Sequence, residues 1–204
     1  KWLSAAAVVV AIGAGTLYYY FFSAMSADGT TQYVYIDDDD NIDSVLTKVS
    51  AVSNAHAMSA YTLLAKHSAY AEHVRTGRYA INGSNGALVT FRHMKNGLQT
   101  PVNLTVPSVR TTDRLAAELS KKLMLDSAAI SHALKDEAVC QKYGYDTATI
   151  ACMFIPNTYD IYWNTSIDHL LERMQKESKR FWNAERTKKA ADMKLSPVQV
   201  ITLA

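Results

Sequence analysis

The stretch CMFIPNTYDIYWNTS, residues 152–166, decides the fold because it holds the densest run of aromatic and hydrogen-bonding side chains in the chain. Residues 154–155 are apolar and predict the end of a buried strand. Pro156 would end that strand, since proline has no N–H and a fixed φ. Residues 157–158 suit the polar turn that would follow.

The second half of this stretch predicts an aromatic strand and the start of a helix. Tyr159, Ile161 and Trp163 alternate with polar residues, which is the period of a half-buried strand. Ser166 is then a favourable N-cap for a long helix over residues 167–192. Polar groups beside flat aromatic faces suit a sugar polymer, but regularly spaced aromatics are more often core. Both interpretations stay open, and the residues alone favour the core.

Composition sets the broad class of the protein. The chain has 204 residues, 49% hydrophobic and 20% charged, which indicates a globular chain of one or two domains. The net charge of +2 comes without a basic stripe, so we expect no nucleic-acid partner. Metal-binding motifs are absent, and neither a metal nor a cofactor is predicted. Cys140 and Cys152 allow a disulfide without requiring one.

The N-terminal segment predicts a membrane anchor. Residues 2–22 carry no charge, and about 20 apolar residues span a bilayer core. The aromatic residues 18–22 resemble an interfacial belt. A cleaved signal peptide is the alternative, although its apolar core is usually shorter.

Charge around this segment predicts its orientation. Lys1 precedes it and the acids at 37–40 follow it, which favours a cytoplasmic N-terminus and an exterior remainder. We therefore assign residues 1–24 to a transmembrane anchor and residues 25–32 to a linker.

The rest of the chain predicts an α+β fold. Between residues 33 and 107 the pattern alternates between strands and helices: strand 33–36, helices 42–49 and 55–66, strand 77–81, helix 86–95 and strand 100–106. Residues 108–204 are mainly helical apart from the central stretch.

Three segments carry a resemblance to a known family. They are FIPNTYDIYWNTS at 154–166, LLERM at 170–174 and FWNAERTKKAADMKLSPVQVITLA at 181–204. Together they resemble the endolytic murein transglycosylases, the MltG or YceG-like family. Leu-Ser-Pro at 195–197 and Thr-Leu-Ala at 202–204 match the family's last helix. The family's catalytic glutamate would lie a few residues past Ala204.

The resemblance implies an architecture and an activity. Residues 33–107 would form a small LysM-like subdomain associated with glycan binding, and 108–204 the N-terminal part of the catalytic domain. The reaction would cut nascent peptidoglycan strands between MurNAc and GlcNAc with formation of 1,6-anhydro-MurNAc. One carboxylic acid can serve as acid and then as base. No catalytic residue is expected within the 204 residues, so we expect this chain by itself to be inactive.

The resemblance also implies a location and partners. The protein would be a single-pass protein of the cell inner membrane with its soluble part in the periplasm, acting on glycan strands and contacting peptidoglycan synthases. Two alternatives stay open: a non-catalytic glycan-binding membrane anchor, and a structural partner of cell-wall synthesis complexes.

Four residues are candidate substrate contacts. Asn157 offers a donor and an acceptor to sugar groups, and Tyr159 and Trp163 offer aromatic faces. Alternatively, Asn157 bonds its own turn and Tyr159 fills the core. Arg110 follows Pro107-Ser-Val, where the family often has Pro-Glu-Gly, and either anchors its loop or meets an acidic group of the substrate.

Overall fold

The computed structural model describes residues 2–203. Lys1, on which the predicted orientation rests, and Ala204, the end of the Thr-Leu-Ala motif, lie outside the described residues. The chain divides into two compact units, with the first ending at Thr100 and the second beginning at Pro101. Each unit combines helices with one two-stranded antiparallel sheet, so the α+β prediction is confirmed.

Helix α1 (Trp2–Phe22) opens the first unit and has the predicted bounds. It is long and apolar enough to cross a membrane, and none of its residues is buried. Its exposed apolar surface is what a lipid-facing helix presents.

The chain after α1 enters the first unit directly. Met25 is fully buried, its N–H donates to Asn85 O at 2.9 Å, and its carbonyl accepts from Asn54 N at 2.8 Å. Phe21 packs against the same core. The segment predicted as a linker therefore begins with a core residue, because Met25 supplies apolar surface that the small sheet cannot.

The first unit has the order strand, two helices, strand, helix. Its elements after α1 are β1 (Gln32–Ile36), α2 (Ile42–Ser50), α3 (Ala55–Lys66), a 3₁₀ turn (Ala69–Glu72), β2 (Gly77–Ile81) and α4 (Ala87–Asn96). Strand β1 pairs antiparallel with β2, with Val34 opposite Tyr79. Val34 and Ile36 face the core, while Tyr33 and Tyr35 remain exposed.

Local sequence explains these helix ends. Asn41 caps α2 through a capping box with Ser44. Gly97 ends α4 at φ 68°, a left-handed conformation that glycine adopts without steric cost.

The second unit wraps helices around the other sheet. Its elements are β3 (Val102–Val106), α5 (Thr112–Ser120), α6 (Ser127–Lys135), α7 (Glu137–Lys142), a 3₁₀ turn (Ile150–Met153), β4 (Asn157–Ile161), α8 (Ile167–Phe181), α9 (Ala184–Asp192) and α10 (Pro197–Leu203). Strand β3 pairs with β4, with Leu104 opposite Tyr159. Residues 102–106 therefore belong to the second unit, whereas the sequence pattern predicts a boundary after 107.

The structure corrects the central stretch. Residues 154–155, predicted to end a buried strand, follow a 3₁₀ turn (Ile150–Met153) and belong to no strand, and the predicted turn at 157–158 is the start of β4. Pro156 precedes the strand instead of ending one. Proline cannot donate to a ladder, so it fits at the entry as well as at the exit.

The long helix predicted over 167–192 is two helices. Trp182 N–H still donates to Ser178 O at 2.9 Å, but Asn183 is extended and its side chain accepts from Arg186 N at 2.9 Å. Asparagine caps a new helix in this way and so ends the preceding one. The predicted N-cap at Ser166 is confirmed, since its hydroxyl accepts from His169 N.

Candidate functional site

A depression of about 600 Å³ opens in the second unit and is called the larger depression. Its walls come from the loop after β3, the 3₁₀ segment and the end of α10, and its lining includes Pro107, Ser108, Arg110, Leu115, Cys152, Phe154, Pro156, Ile201 and Thr202. This volume lies within the range of small-ligand pockets, about 300–1,000 Å³.

A second hollow of about 370 Å³ borders the first and is called the apolar depression. It shares Ser108, Pro156 and Ile201 with the larger depression. The remainder of its lining comes from α9, α10 and the junction before α9, and includes Phe181, Trp182, Arg186, Lys189, Ala190, Met193 and Val200.

Helix α10 lies at the centre of this surface. Ser196 caps it, since its hydroxyl accepts from Gln199 N at 3.2 Å while the Gln199 side chain accepts from Ser196 N at 2.8 Å. None of the residues Pro197–Leu203 is buried. Thr202 Oγ1 donates to Val198 O at 2.8 Å and lies 3.8 Å from Cys152 Sγ. The Leu-Ser-Pro motif thus begins a helix that lines both depressions.

Of the four predicted contacts, Arg110 is the one that lines the larger depression. It is exposed and lies between β3 and α5. Thr111 next to it caps α5 by accepting from Arg114 N, so the backbone beside Arg110 is held by both elements.

Asn157 and Tyr159 lie near the depressions but differ in exposure. Asn157 is exposed, opposite Val106, and its side-chain oxygen accepts from Thr158 N at 2.8 Å. Tyr159 is buried, and its hydroxyl donates to Ile155 O at 2.7 Å. Burial raises the pKa of Tyr159, with Glu177 adding to the effect. This placement favours the core alternative for Tyr159, and its role in binding stays a prediction.

Trp163 lies beyond the end of β4 and packs, partly buried, against the core of the second unit. Its carbonyl accepts from Met124 N at 2.8 Å, and it does not line either depression. Sequence patterns alone did not indicate Ser108, Cys152 and Thr202. Ser108 follows Pro107, and Thr202 is the first residue of the Thr-Leu-Ala motif, so these positions in sequence were the available signal.

The electrostatics of the larger depression are simple. Arg110 is the charged residue among its described lining residues, and these include neither Asp nor Glu. Cys140 and Cys152 are both buried with free thiols, and burial raises the pKa of Cys140. Within residues 2–203, no group of His, Cys, Asp and Glu could hold a metal ion.

The first unit has its own open cleft of about 570 Å³, called the first-unit cleft. Its lining comes from the loop between β1 and α2 and from the segment before β2: Asp40, Asn41, Ala71, Glu72, His73, Val74 and Arg75. Lys48 bridges Asp37 and Asp40, and Thr76 Oγ1 donates to Asp38 Oδ1 at 2.9 Å. The loop of four aspartates at 37–40 is therefore partly ordered by a lysine.

Comparison with known proteins identifies a family. The sequence model of the YceG-like family matches residues 34–204. A crystal structure of a YceG-like protein from Listeria monocytogenes is similar at 16% identity, over 82% of this chain and 60% of that one, with a TM-score of 0.43. The chain thus spans about 60% of the length of that solved relative. Among curated proteins, none matches this chain.

Proposed function

Because the chain belongs to the YceG-like family, we propose that the protein is a membrane-anchored endolytic murein lytic transglycosylase. Its substrate is the nascent peptidoglycan strand, cut between MurNAc and GlcNAc. It acts at the cell inner membrane, held by α1, with the two units in the periplasm and peptidoglycan synthases as neighbours. The family match over residues 34–204 and the apolar α1 support this proposal.

The larger depression is the proposed substrate site, and its lining is the observation that supports this assignment. It is lined by Phe154 and Pro156 and by the end of α10, which lie in two of the segments on which the resemblance rests. Its lining mixes hydroxyl, guanidinium and apolar groups, and small-ligand pockets combine apolar walls with a few placed polar groups in this way.

The proposed chemistry needs a neutral carboxylic acid. The acid protonates the bridging oxygen and then, as base, takes the proton of the muramyl C6 hydroxyl as that oxygen attacks C1. The described lining of the larger depression contains neither Asp nor Glu. The resemblance assigns the acid to a glutamate shortly past Ala204.

The test compares the complete gene product with the 204-residue chain on purified sacculi in detergent. Mass spectrometry of the released products should show anhydro-muramyl ends for the complete product and none for the chain. Product from the chain alone would place the acid within these residues. Absence of product from both would remove the proposed activity.

A glycan-binding anchor is the second candidate, and the first unit favours it. Its strand–helix–helix–strand order and the position of the first-unit cleft, between the loop after β1 and the segment before β2, support a LysM-like binding role. Sedimentation of the chain with sacculi, with Arg75→Ala as the cleft variant and the exposed Lys66→Ala as the control, tests it. Equal sedimentation of wild type and Arg75→Ala would argue against binding at this cleft.

A further inference from the structure

The larger depression has an unbalanced charge. Arg110 contributes a guanidinium, and no described residue of the lining contributes a carboxylate. The acid closest to Arg110 in sequence is Asp113, which is already bonded to Lys135 and to Ser131. Asp113 therefore does not neutralise Arg110.

The backbone on both sides of the Arg110 loop is anchored, although the Arg110 side chain is exposed. The loop before it leaves β3, which is paired along its whole length with β4, and Thr111 after it caps α5. The planar guanidinium fork loses less freedom per hydrogen bond than a lysine ammonium does, and it can bind a carboxylate through two parallel hydrogen bonds.

We propose that Arg110 makes the larger depression a carboxylate-selective subsite, which binds the acidic substituent carried on the lactyl arm of muramyl sugars. This inference rests on the proposed function, which supplies the identity of the glycan ligand. Two sources share this chemistry: the free lactyl carboxylate of a peptide-free strand, and the carboxylates of the stem peptide. A neutral glycan such as a chito-oligosaccharide has neither, so Arg110 discriminates against it.

The effect is expected to be large for one residue. A charge-assisted, two-point hydrogen bond to a carboxylate is among the stronger side-chain interactions. Arg110→Ala should weaken binding of the acidic strand by about tenfold or more. Binding of the wild type should also weaken as salt rises, because ions screen an exposed charge pair. The variant should lose most of that salt dependence.

The experiment measures affinity of the full chain in detergent by isothermal titration calorimetry. The ligands are three soluble oligomers of equal length: peptide-bearing glycan, the same glycan after removal of its peptides, and chito-oligosaccharide. The proteins are wild type, Arg110→Ala, Arg110→Lys and the control Arg114→Ala. Arg114 is exposed on α5, carries the same charge and lies outside the lining of the depression. Thermal melting checks that each variant folds.

The outcomes separate the two proposals. Loss of affinity in Arg110→Ala for acidic ligands only, with partial recovery in Arg110→Lys and none of this in Arg114→Ala, is the expected result. The ligand that loses more identifies lactyl or stem carboxylate as the source. Unchanged affinity for both acidic ligands, or an equal loss for the chito-oligosaccharide, overturns the subsite while leaving the proposed function standing. Binding of no glycan by the wild type overturns the subsite, and the activity test on sacculi decides the proposed function separately.

Discussion

The sheets of the two units share one feature, an inward-facing tyrosine whose hydroxyl bonds a backbone carbonyl. In the first unit, Tyr79 lies opposite Val34 and its hydroxyl donates to Arg75 O at 2.9 Å. In the second, Tyr159 lies opposite Leu104 and its hydroxyl donates to Ile155 O at 2.7 Å. Each tyrosine is the third residue of a five-residue strand and bonds a carbonyl four residues earlier. This hydrogen bond anchors the residues just before each strand to the core.

The outward faces of the two sheets differ. Tyr33 and Tyr35 are both 41% exposed on the first sheet, with the Arg78 guanidinium 3.5 Å from the centre of the Tyr33 ring. On the second sheet, Thr105 and Thr158 face each other at 3.0 Å between their hydroxyl oxygens. Packing therefore determines the inward residues of each sheet, whereas the outward residues make ring and hydroxyl contacts at the surface. Function in this protein is better sought on loops and outer faces than on the inward tyrosines.

The largest expected effect compares the core residues opposite the two tyrosines. Leu104→Ala removes a fully buried side chain and should lower the free energy of unfolding by about 2–5 kcal/mol. Val34→Ala removes fewer buried atoms and should cost less. Urea denaturation followed by circular dichroism measures both. A larger loss from Val34→Ala would show that the sheets do not contribute as their burial suggests.

The next effect concerns how α1 joins the first unit. A Cβ on Gly86 would lie 2.6 Å from Phe21 O and 2.7 Å from Phe22 Cα, and backbone atoms cannot move aside as a flexible side chain can. Gly86→Ala should therefore destabilise by about 1–3 kcal/mol. Hydrogen exchange should show faster exchange at the end of α1.

A control glycine in the second unit separates steric clash from backbone strain. Gly144 has φ 84°, and nothing lies within 4 Å of the position that a Cβ would take there. Gly144→Ala should therefore destabilise the fold through backbone strain alone, by about 1–2 kcal/mol. For Gly86→Ala, hydrogen exchange at the end of α1 that is as slow as in the wild type would contradict the close packing of α1 on α4.

The paired tyrosines give the third test. Tyr79→Phe and Tyr159→Phe each leave a carbonyl without its donor and should cost about 1–3 kcal/mol. If Tyr159 also contacts substrate, its variant should lose turnover in the complete enzyme while its melting temperature matches that of Tyr79→Phe. Asn157→Ala, at an exposed position, should lose turnover with little change in stability. Turnover that falls only in step with stability would leave Tyr159 a core residue.

The smallest expected effect contrasts two ion pairs. Burial would raise the pKa of Asp40, but hydrogen bonds from Lys48, Ser44 and Asp37 outweigh it and hold the pKa below its usual value. A lowered acid pKa stabilises the fold above the unfolded pKa, near 4, and this stability is lost as pH falls through the folded pKa. Lys48→Met should reduce the loss of stability at acid pH. The reduction should be under about 1 kcal/mol, because Lys48 is partly exposed.

The exposed Lys189–Glu185 pair of the second unit is the control. Both side chains are at least 70% exposed, so Lys189→Met should leave the dependence of stability on acid pH unchanged. Thermal melting between about pH 2 and about pH 7, a range that brackets the acid pKa, measures both variants. Identical pH profiles for Lys48→Met and wild type would show that Asp40 contributes nothing through Lys48.

Much of the secondary structure could be predicted from local pattern. The bounds of α1, the caps at Asn41 and Ser166, the left-handed Gly97 and the alternation in β3 all follow from side chains within one or two turns. The errors occurred where two local signals compete. Pro156 can stand at either end of a strand, and Asn183 can sit inside a helical pattern or cap a new helix.

By itself, the sequence determined the long apolar N-terminal helix, the α+β class and the family, because hydrophobic period, caps and motif order are properties of neighbours along the chain. Only the tertiary structure decided which strands pair, that Met25 enters the core, and that Ser108, Arg110, Cys152 and Thr202 line one depression. It also decided that the Tyr159 hydroxyl is bonded inside the protein. These facts depend on contacts between residues far apart in sequence, and a residue's pattern of neighbours does not reveal the partner that folding brings to it.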